Sequence, residues 1–202
     1  LIGGYAEHGR AFEVLHCFEE MQVEGVYPNA VTFIHSLKSC GAIDDVDKGE
    51  EIHAEIERKK LLETDHRILG ATLMDMYIKC GTILDAQKVF DGVTHRDVAL
   101  WGTLIAGYAG YGNVDRAFLC LKRMKQDNLE PDEVIITSIV TACSQNGRLE
   151  EGHKYFNSME NFGDSHNVEH YNGMVDLLTR SGSLYEASCL LQTMPISPDI
   201  VG

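Results

Sequence analysis

Six stretches of this chain place a turn residue at nearly the same interval, and a period of this size decides the architecture before any single motif is weighed. The residues are Gly9, Asp44, Gly81, Gly112, Gly147 and Gly182, separated by 35, 37, 31, 35 and 35 positions. Four segments align directly on their turns: LIGGYAEHGRAFEVLHCFEEM from Leu1, LMDMYIKCGTILDAQKVFDGV from Leu73, LIAGYAGYGNVDRAFLCLKRM from Leu104 and MVDLLTRSGSLYEASCLLQTM from Met174. Two weaker copies, SCGAIDDVDKGEEIHAEI and ACSQNGRLEEGHKYFNSM, supply Asp44 and Gly147.

Around each turn the pattern is helical. Five residues on stands a small residue in five of six copies (Gly49, Ala86, Ala117, Gly152 and Ala187, with Val14 the exception), which lets two helices approach closely. Nine residues on stand Phe18, His53, Phe90, Leu121, Phe156 and Leu191; twelve on stand Met21, Ile56, Val93, Met124, Met159 and Met194. Offsets of five, nine and twelve fall on one helical face. Each copy therefore reads as a helix, a tight turn and a second helix whose apolar stripe is buried only when copies stack. Pro28 and Pro131 close two copies and set the link to the next. The expected fold class is all-α, a stack of helix-turn-helix repeats.

No apolar run approaches the roughly 18 to 20 residues that cross a bilayer, so no membrane span is expected. The first residues, Leu-Ile-Gly-Gly-Tyr, show no basic and apolar succession of a targeting leader. Six cysteines at intervals of 23, 40, 40, 23 and 46 contain no Cys-x-x-Cys pair, which gives neither a zinc spacing nor a disulfide framework; buried, reduced thiols are expected. No metal or cofactor is implied. With 17 basic against 31 acidic residues the formal charge is −14, which repels polyanions at long range. Acidic runs such as Asp44-Asp45 and Glu50-Glu51 are expected on outer, solvated faces.

The quoted segments resemble the pentatricopeptide repeat family over essentially the whole chain, and the alternating copy lengths are more specific than any one motif. The phrases ATLMDMYIKCG, DAQKVFD, LWGTLIAGYA, TACSQNGRLEEGHKYFNSM and VEHYNGMVDLLTRSG look like the mixed-length (PLS) subclass of land-plant organelles. On that resemblance the copies run 1–29 (lacking its beginning), 30–65 (long), 67–97 (short), 98–132 (standard), 133–167 (long) and 168–199 (short). Ile200 to Gly202 would then open a C-terminal extension of the E/DYW kind, absent here, which recruits or contains a cytidine deaminase. The resemblance implies a right-handed α-solenoid superhelix, a mitochondrial or chloroplast location, and a role in transcript processing such as C-to-U editing together with editing-complex proteins.

Repeat proteins of this kind read single-stranded RNA one base per repeat with two or three side chains. The resemblance puts one reader two residues before the Leu or Met that opens an aligned segment, and the other at the end of the copy. It pairs Asn172 with Asp199, associated with uracil, and Thr137 with Asn167, associated with adenine, giving a local 5′-AU-3′ preference. Ala71 with Asp97 and Gly102 with Asp132 lack a hydrogen-bonding first reader, and Ile34 with Asp65 is apolar there. The first copy retains only Asn29. Val31, Ile68 and Val134 suit a wedge between bases; Ala99 and Glu169 suit it poorly. Asn and Asp before a helix also cap its free N–H groups, and one residue can hold both roles.

Two other classes compete. A protein-binding scaffold of the tetratricopeptide type would hold a steady 34-residue period, whereas these intervals vary from 31 to 37. A hydrolase would need nucleophile and base on neighbouring elements, and the nine histidines are scattered. His53-Ala54-Glu55 matches the first half of the zinc deaminase pattern without its Cys-x-x-Cys partner, and reads as a packed helical histidine. The chain is expected not to be an enzyme.

Overall fold

In the computed structural model the described residues are 1–62, 67–158 and 168–193, and among them lie twelve α-helices and no strand. They form two compact units, Leu1–Gly107 and Tyr108–Gly202. The first holds the hairpins α1 (Ile2–Glu7) with α2 (Ala11–Val23), α3 (Ala30–Ile43) with α4 (Val46–Arg58), and α5 (Arg67–Lys79) with α6 (Ile83–Gly92), followed by residues 98–107 of α7 (Val98–Gly110). The second holds the rest of α7, α8 (Val114–Gln126), and the hairpins α9 (Glu133–Asn146) with α10 (Leu149–Ser158) and α11 (Val168–Arg180) with α12 (Leu184–Thr193). First helices pack side by side, α1 on α3 on α5 in one unit and α9 on α11 in the other, and each second helix packs on its own first helix or on the one that follows. None of the described helices is long and apolar enough to cross a membrane.

The repeated turn residue has a geometric cause. All six turn positions lie in the left-handed region, from φ 59° at Asp44 to φ 80° at Gly182. In every copy the N–H one residue past the turn donates to the carbonyl four residues before it, as Arg148 N does to Cys143 O at 2.9 Å and Asp45 N to Cys40 O at 3.0 Å. This closure satisfies an orphan carbonyl of the first helix and turns the chain sharply into the second. Asp44 meets the same demand because a short polar side chain tolerates that region better than most. Sixteen residues further on, Gly25, Lys60 and Asn128 are left-handed again and close α2, α4 and α8 by the same bond. The 31-residue interval has no such cap: α6 ends on an extended Val93.

The buried stripe is as spaced in the sequence, and the structure adds what it meets. Phe18, Phe90 and Phe156, nine residues past their turns, each stand edge-on to an aromatic of the following first helix: Phe33 at 5.9 Å, Trp101 at 4.5 Å and Tyr171 at 5.8 Å between ring centres. These partners share one register, eleven residues before the next turn. In α5 that register is Gly70, and His53 instead reaches the Tyr77 hydroxyl, with Nδ1 2.9 Å away. Leu191 departs from the expected stripe and is 53% exposed, because the cover for this position comes from a following first helix and none follows α12 among the described residues. Met21 and Val93 are half-buried, while Ile56 and Met124 are fully buried; Met159 and Met194 lie outside the described residues.

Cys40, Cys120 and Cys143 are buried, Cys17 and Cys80 half-buried, and all are free thiols. Burial pushes the Cys40 thiol up to about 12 and Cys143 up to about 11, so both stay protonated. Cys189 is the exposed exception to the expected buried set.

Candidate nucleic-acid interface

Within each unit, residues singled out in the sequence lie at the beginnings of first helices. Asn29 caps α3, its Oδ1 accepting from the Thr32 N–H at 2.9 Å and from the Thr32 hydroxyl at 3.1 Å. Asp97 accepts from Leu100 N at 3.0 Å and Asp132 from Ile135 N at 2.9 Å. Each bond satisfies one of the four N–H groups a helix start leaves free. Asn29 and Asp132 are exposed, and capping uses only Oδ1, so the Nδ2 amide of Asn29 and Oδ2 of Asp132 face solvent without a protein partner among the described residues. Asp97 is half-buried.

Two residues past the Asn29 and Asp132 caps stand Val31 and Val134, and Ile68 is the second residue of α5; these are the apolar residues expected to wedge. Val31 is 59%, Ile68 71% and Val134 70% exposed. A single exposed aliphatic residue is ordinary. The same β-branched type stands largely exposed at the same helical position in three copies, outside the buried core.

The residue three further on lies on the same side of the helix. Here Ala71, Gly102, Ile34 and Thr137 are half-buried and Asn172 is exposed. The Thr137 hydroxyl donates to the Glu133 carbonyl at 2.8 Å, so only its lone pairs remain for a ligand. Beside Asn172, a Cβ on Gly173 would stand 3.5 Å from Val140 Cγ1 and 3.7 Å from Thr141 Oγ1, which shows how closely α11 approaches α9 next to Asn172. Asn167 and Asp199, the second members of the Thr137 and Asn172 pairs, lie outside the described residues, as does Asp65.

Charge is unevenly divided. The first helices carry Glu7, Asp75, Glu133, Glu169 and Asp176 against Lys38, Arg67, Lys79 and Arg180, close to neutrality in a chain of net charge −14. Asp75 and Asp176 are moreover paired, with Lys79 at 2.7 Å and Arg180 at 2.9 Å, and hydrogen bonds from Ser144 and Arg180 hold the Asp176 carboxyl below its usual range. Asp44, Glu50 and Glu51 are exposed at the α3–α4 turn and on α4, and Asp45 caps α4 through Lys48 N at 3.0 Å.

His53 is a half-buried helical residue. Its Nδ1 faces Tyr77, its Nε2 is 3.5 Å from Glu57, and burial pushes its pKa down. No group of three His, Cys, Asp or Glu with metal-binding geometry occurs among the described residues.

One feature of the surface escaped the sequence reading. Within α8, Arg116, Lys122, Arg123 and Lys125 stand against the single acid Asp115. The signal was present in thirteen consecutive residues, but a whole-chain charge averages it away.

Stacked helix-turn-helix copies, with polar caps and exposed aliphatic residues at the starts of the first helices, define a helical-repeat protein. The chain belongs to the pentatricopeptide repeat family, whose PPR repeat model matches residues 1–26, 99–129, 134–164 and 169–196. Three pentatricopeptide repeat-containing proteins of Arabidopsis thaliana are similar over 98% of the chain: a putative one at 37% identity, a mitochondrial one at 36% and a chloroplastic one at 34%. The chain spans 40%, 28% and 27% of their respective lengths. Among solved structures, PPR10 in complex with an 18-nt psaJ RNA element superposes with a TM-score of 0.79 at 24% identity, covering 95% of this chain and 29% of that one. The PPR domain of Arabidopsis thaliana protein-only RNase P 1 in complex with tRNA gives 0.63 at 11% identity, covering 93% and 95%. At these identities the two structures establish the fold.

Proposed function

We propose that this chain binds single-stranded RNA without catalysing a reaction, one base per copy, as part of a longer organellar protein. The observation that carries the reading is the repeated exposure of Val31, Ile68 and Val134, with Val31 and Val134 next to the capping residues Asn29 and Asp132, which use only one side-chain oxygen in the cap. An apolar side chain held in water beside a polar edge suits a base, which offers a hydrophobic face and a hydrogen-bonding rim. The complexes of PPR10 with RNA and of the RNase P 1 domain with tRNA support the ligand class.

Within the second unit, Thr137 with Asn167 is assigned to adenine and Asn172 with Asp199 to uracil, giving 5′-AU-3′. The exposure of Asn172 supports the second assignment. The copies with Ala71, Gly102 and Ile34 add contact without hydrogen-bond selection, and Asn29, Asp97 and Asp132 supply the end-of-copy partner in theirs. The first helices themselves are near neutral, with Asp97 and Asp132 adding negative charge at their starts, so in this reading affinity rests on stacking and hydrogen bonds rather than on counterion release and salt dependence is shallow. The copy-length pattern supports a reading of the chain as of the plant PLS subclass, acting in C-to-U editing with editing-complex partners. The mitochondrial and chloroplastic relatives support an organellar location.

The test is a triple variant, Val31→Asp, Ile68→Asp and Val134→Asp, titrated against a fluorescent AU-containing RNA. All three side chains are exposed, so circular dichroism melting should stay close to wild type while RNA binding weakens at least about tenfold. Unchanged RNA affinity in the folded variant would reject the wedge assignment, and tight binding of a protein ligand with none of RNA would favour the scaffold class.

A further inference from the structure

Helix α8 carries a surface unlike the rest of this acidic chain. Its buried side is Val114, Ala117, Leu121 and Met124. On the opposite side Arg116 and Arg123 share one edge, seven residues and roughly 10 Å apart along the axis. Lys122 and Lys125 form the other edge, and Leu119, 46% exposed, stands between them. All four cations are exposed, and none has a carboxylate partner among the described residues. Many cations elsewhere are held by acids: Lys48 by Glu19 at 2.8 Å and Glu51 at 2.9 Å, Lys88 by Asp85 at 2.8 Å and Arg180 by Asp176 at 2.9 Å. The one acid of α8, Asp115, is drawn off by Arg148, just before α10, at 2.9 Å, and Arg148 also holds Glu151 at 2.7 Å. The arrangement thus leaves the positive charge of α8 uncompensated where acids outnumber bases 31 to 17.

We propose that the outer face of α8 docks an acidic amphipathic helix of a partner protein. Carboxylates at helical spacing on both edges of such a helix meet the two rows of cations, and its apolar stripe covers Leu119. An RNA backbone would satisfy the cations and leave Leu119 without a partner. The base-reading residues sit on first helices or at their N-terminal caps, whereas α8 is a second helix, so the two ligands do not compete for the same side chains. The docking surface stands independently of base reading.

The test uses the whole chain and a fluorescent synthetic helix with Glu on both edges of a Leu stripe, beside a counterpart with Lys for Glu and a short oligouridylate. Wild type should bind the Glu helix in a salt-sensitive manner and in preference to the Lys helix. Arg116→Glu with Arg123→Glu should weaken the Glu helix about tenfold and reverse the preference, and Leu119→Ser should weaken it with charge intact. Oligouridylate affinity should not fall in either variant. Equal binding of the Glu and Lys helices to wild type overturns the proposal. So does a loss of oligouridylate affinity in the charge-reversed protein, which would assign the face to RNA. Should charge reversal impair folding, Arg116→Gln with Arg123→Gln and Leu119→Ser carry the same comparison.

Discussion

The side chain of Asp132 accepts a hydrogen bond from the Ile135 backbone N–H at 2.9 Å, so a residue assigned to base reading is also a helix cap. The two roles separate by substitution. Asn caps as well as Asp, whereas Ala does not cap. Asp132→Asn should leave the melting temperature within error of wild type, and Asp132→Ala should cost about 1 kcal/mol in a urea titration. A large loss with Asn would mean that charge, not capping, holds this helix start.

Two glycines of one hairpin should fail for different reasons. Gly147 has φ 64° with nothing near its missing Cβ, so Gly147→Ala should cost about 1–2 kcal/mol through backbone strain alone. At Gly152 a Cβ would stand 2.1 Å from Leu177 Cδ2 and 3.3 Å from Cys143 Cβ. Leu177 is fully buried and has little room to retreat. Gly152→Ala should cost about 1–3 kcal/mol by overpacking, and Leu177→Ala should couple with it, since the smaller side chain removes the clash. Additive losses in the double variant, read by denaturant titration, would contradict this packing.

His53 gives the stability a pH dependence near neutrality. Burial lowers its folded-state pKa despite the nearby charges of Glu57, Asp85 and Glu50. The unfolded chain therefore binds the proton more readily than the folded one. Stability from the neutral form is complete above the unfolded value of about 6.5 and falls as pH drops below it. Glu19, Glu151 and Asp176, held below the usual carboxylate range by hydrogen bonds from Lys48, Arg148 and Ser144 with Arg180, add their losses at lower pH. Melting curves between about pH 7.5 and 5.5 should show a decline that His53→Gln flattens. An equal slope in the variant would remove His53 from the account.

Thiol reactivity should sort by burial. Cys189 is exposed and should react with a disulfide reagent in the native protein, while Cys40 and Cys143, with thiols pushed up to about 12 and about 11, should react only on unfolding. Rapid native labelling of Cys143, mapped by mass spectrometry, would contradict the packing of α9 on α10 and α11.

What was legible in the sequence follows from which interactions are local. The turn position, including its Asp44 version, is a backbone demand met inside one copy, and alignment located it. The left-handed Lys60 and Asn128 were not legible, because neither residue type marks that conformation as glycine does. The stripe nine residues past the turn was correct for Phe18, Phe90, Leu121 and Phe156, yet its burial depends on the next copy, which is why Leu191 differs. The candidate site was legible only through the family resemblance. Polarity alone suggested caps, and the structure shows caps at Asn29, Asp97 and Asp132. The cationic face of α8 was hidden because charge was summed over the chain before being placed on helices.

The most direct test of base reading is an anisotropy competition between an RNA containing 5′-AU-3′ and versions changed at each of those two bases, repeated with Asn172→Thr. The account predicts that each change weakens binding by about 1–3 kcal/mol, that the penalty at the uracil moves toward preference for a purine in Asn172→Thr, and that affinity depends only weakly on salt. Equal affinity for all the RNAs, with a steep salt dependence that Asn172→Thr leaves untouched, would contradict it.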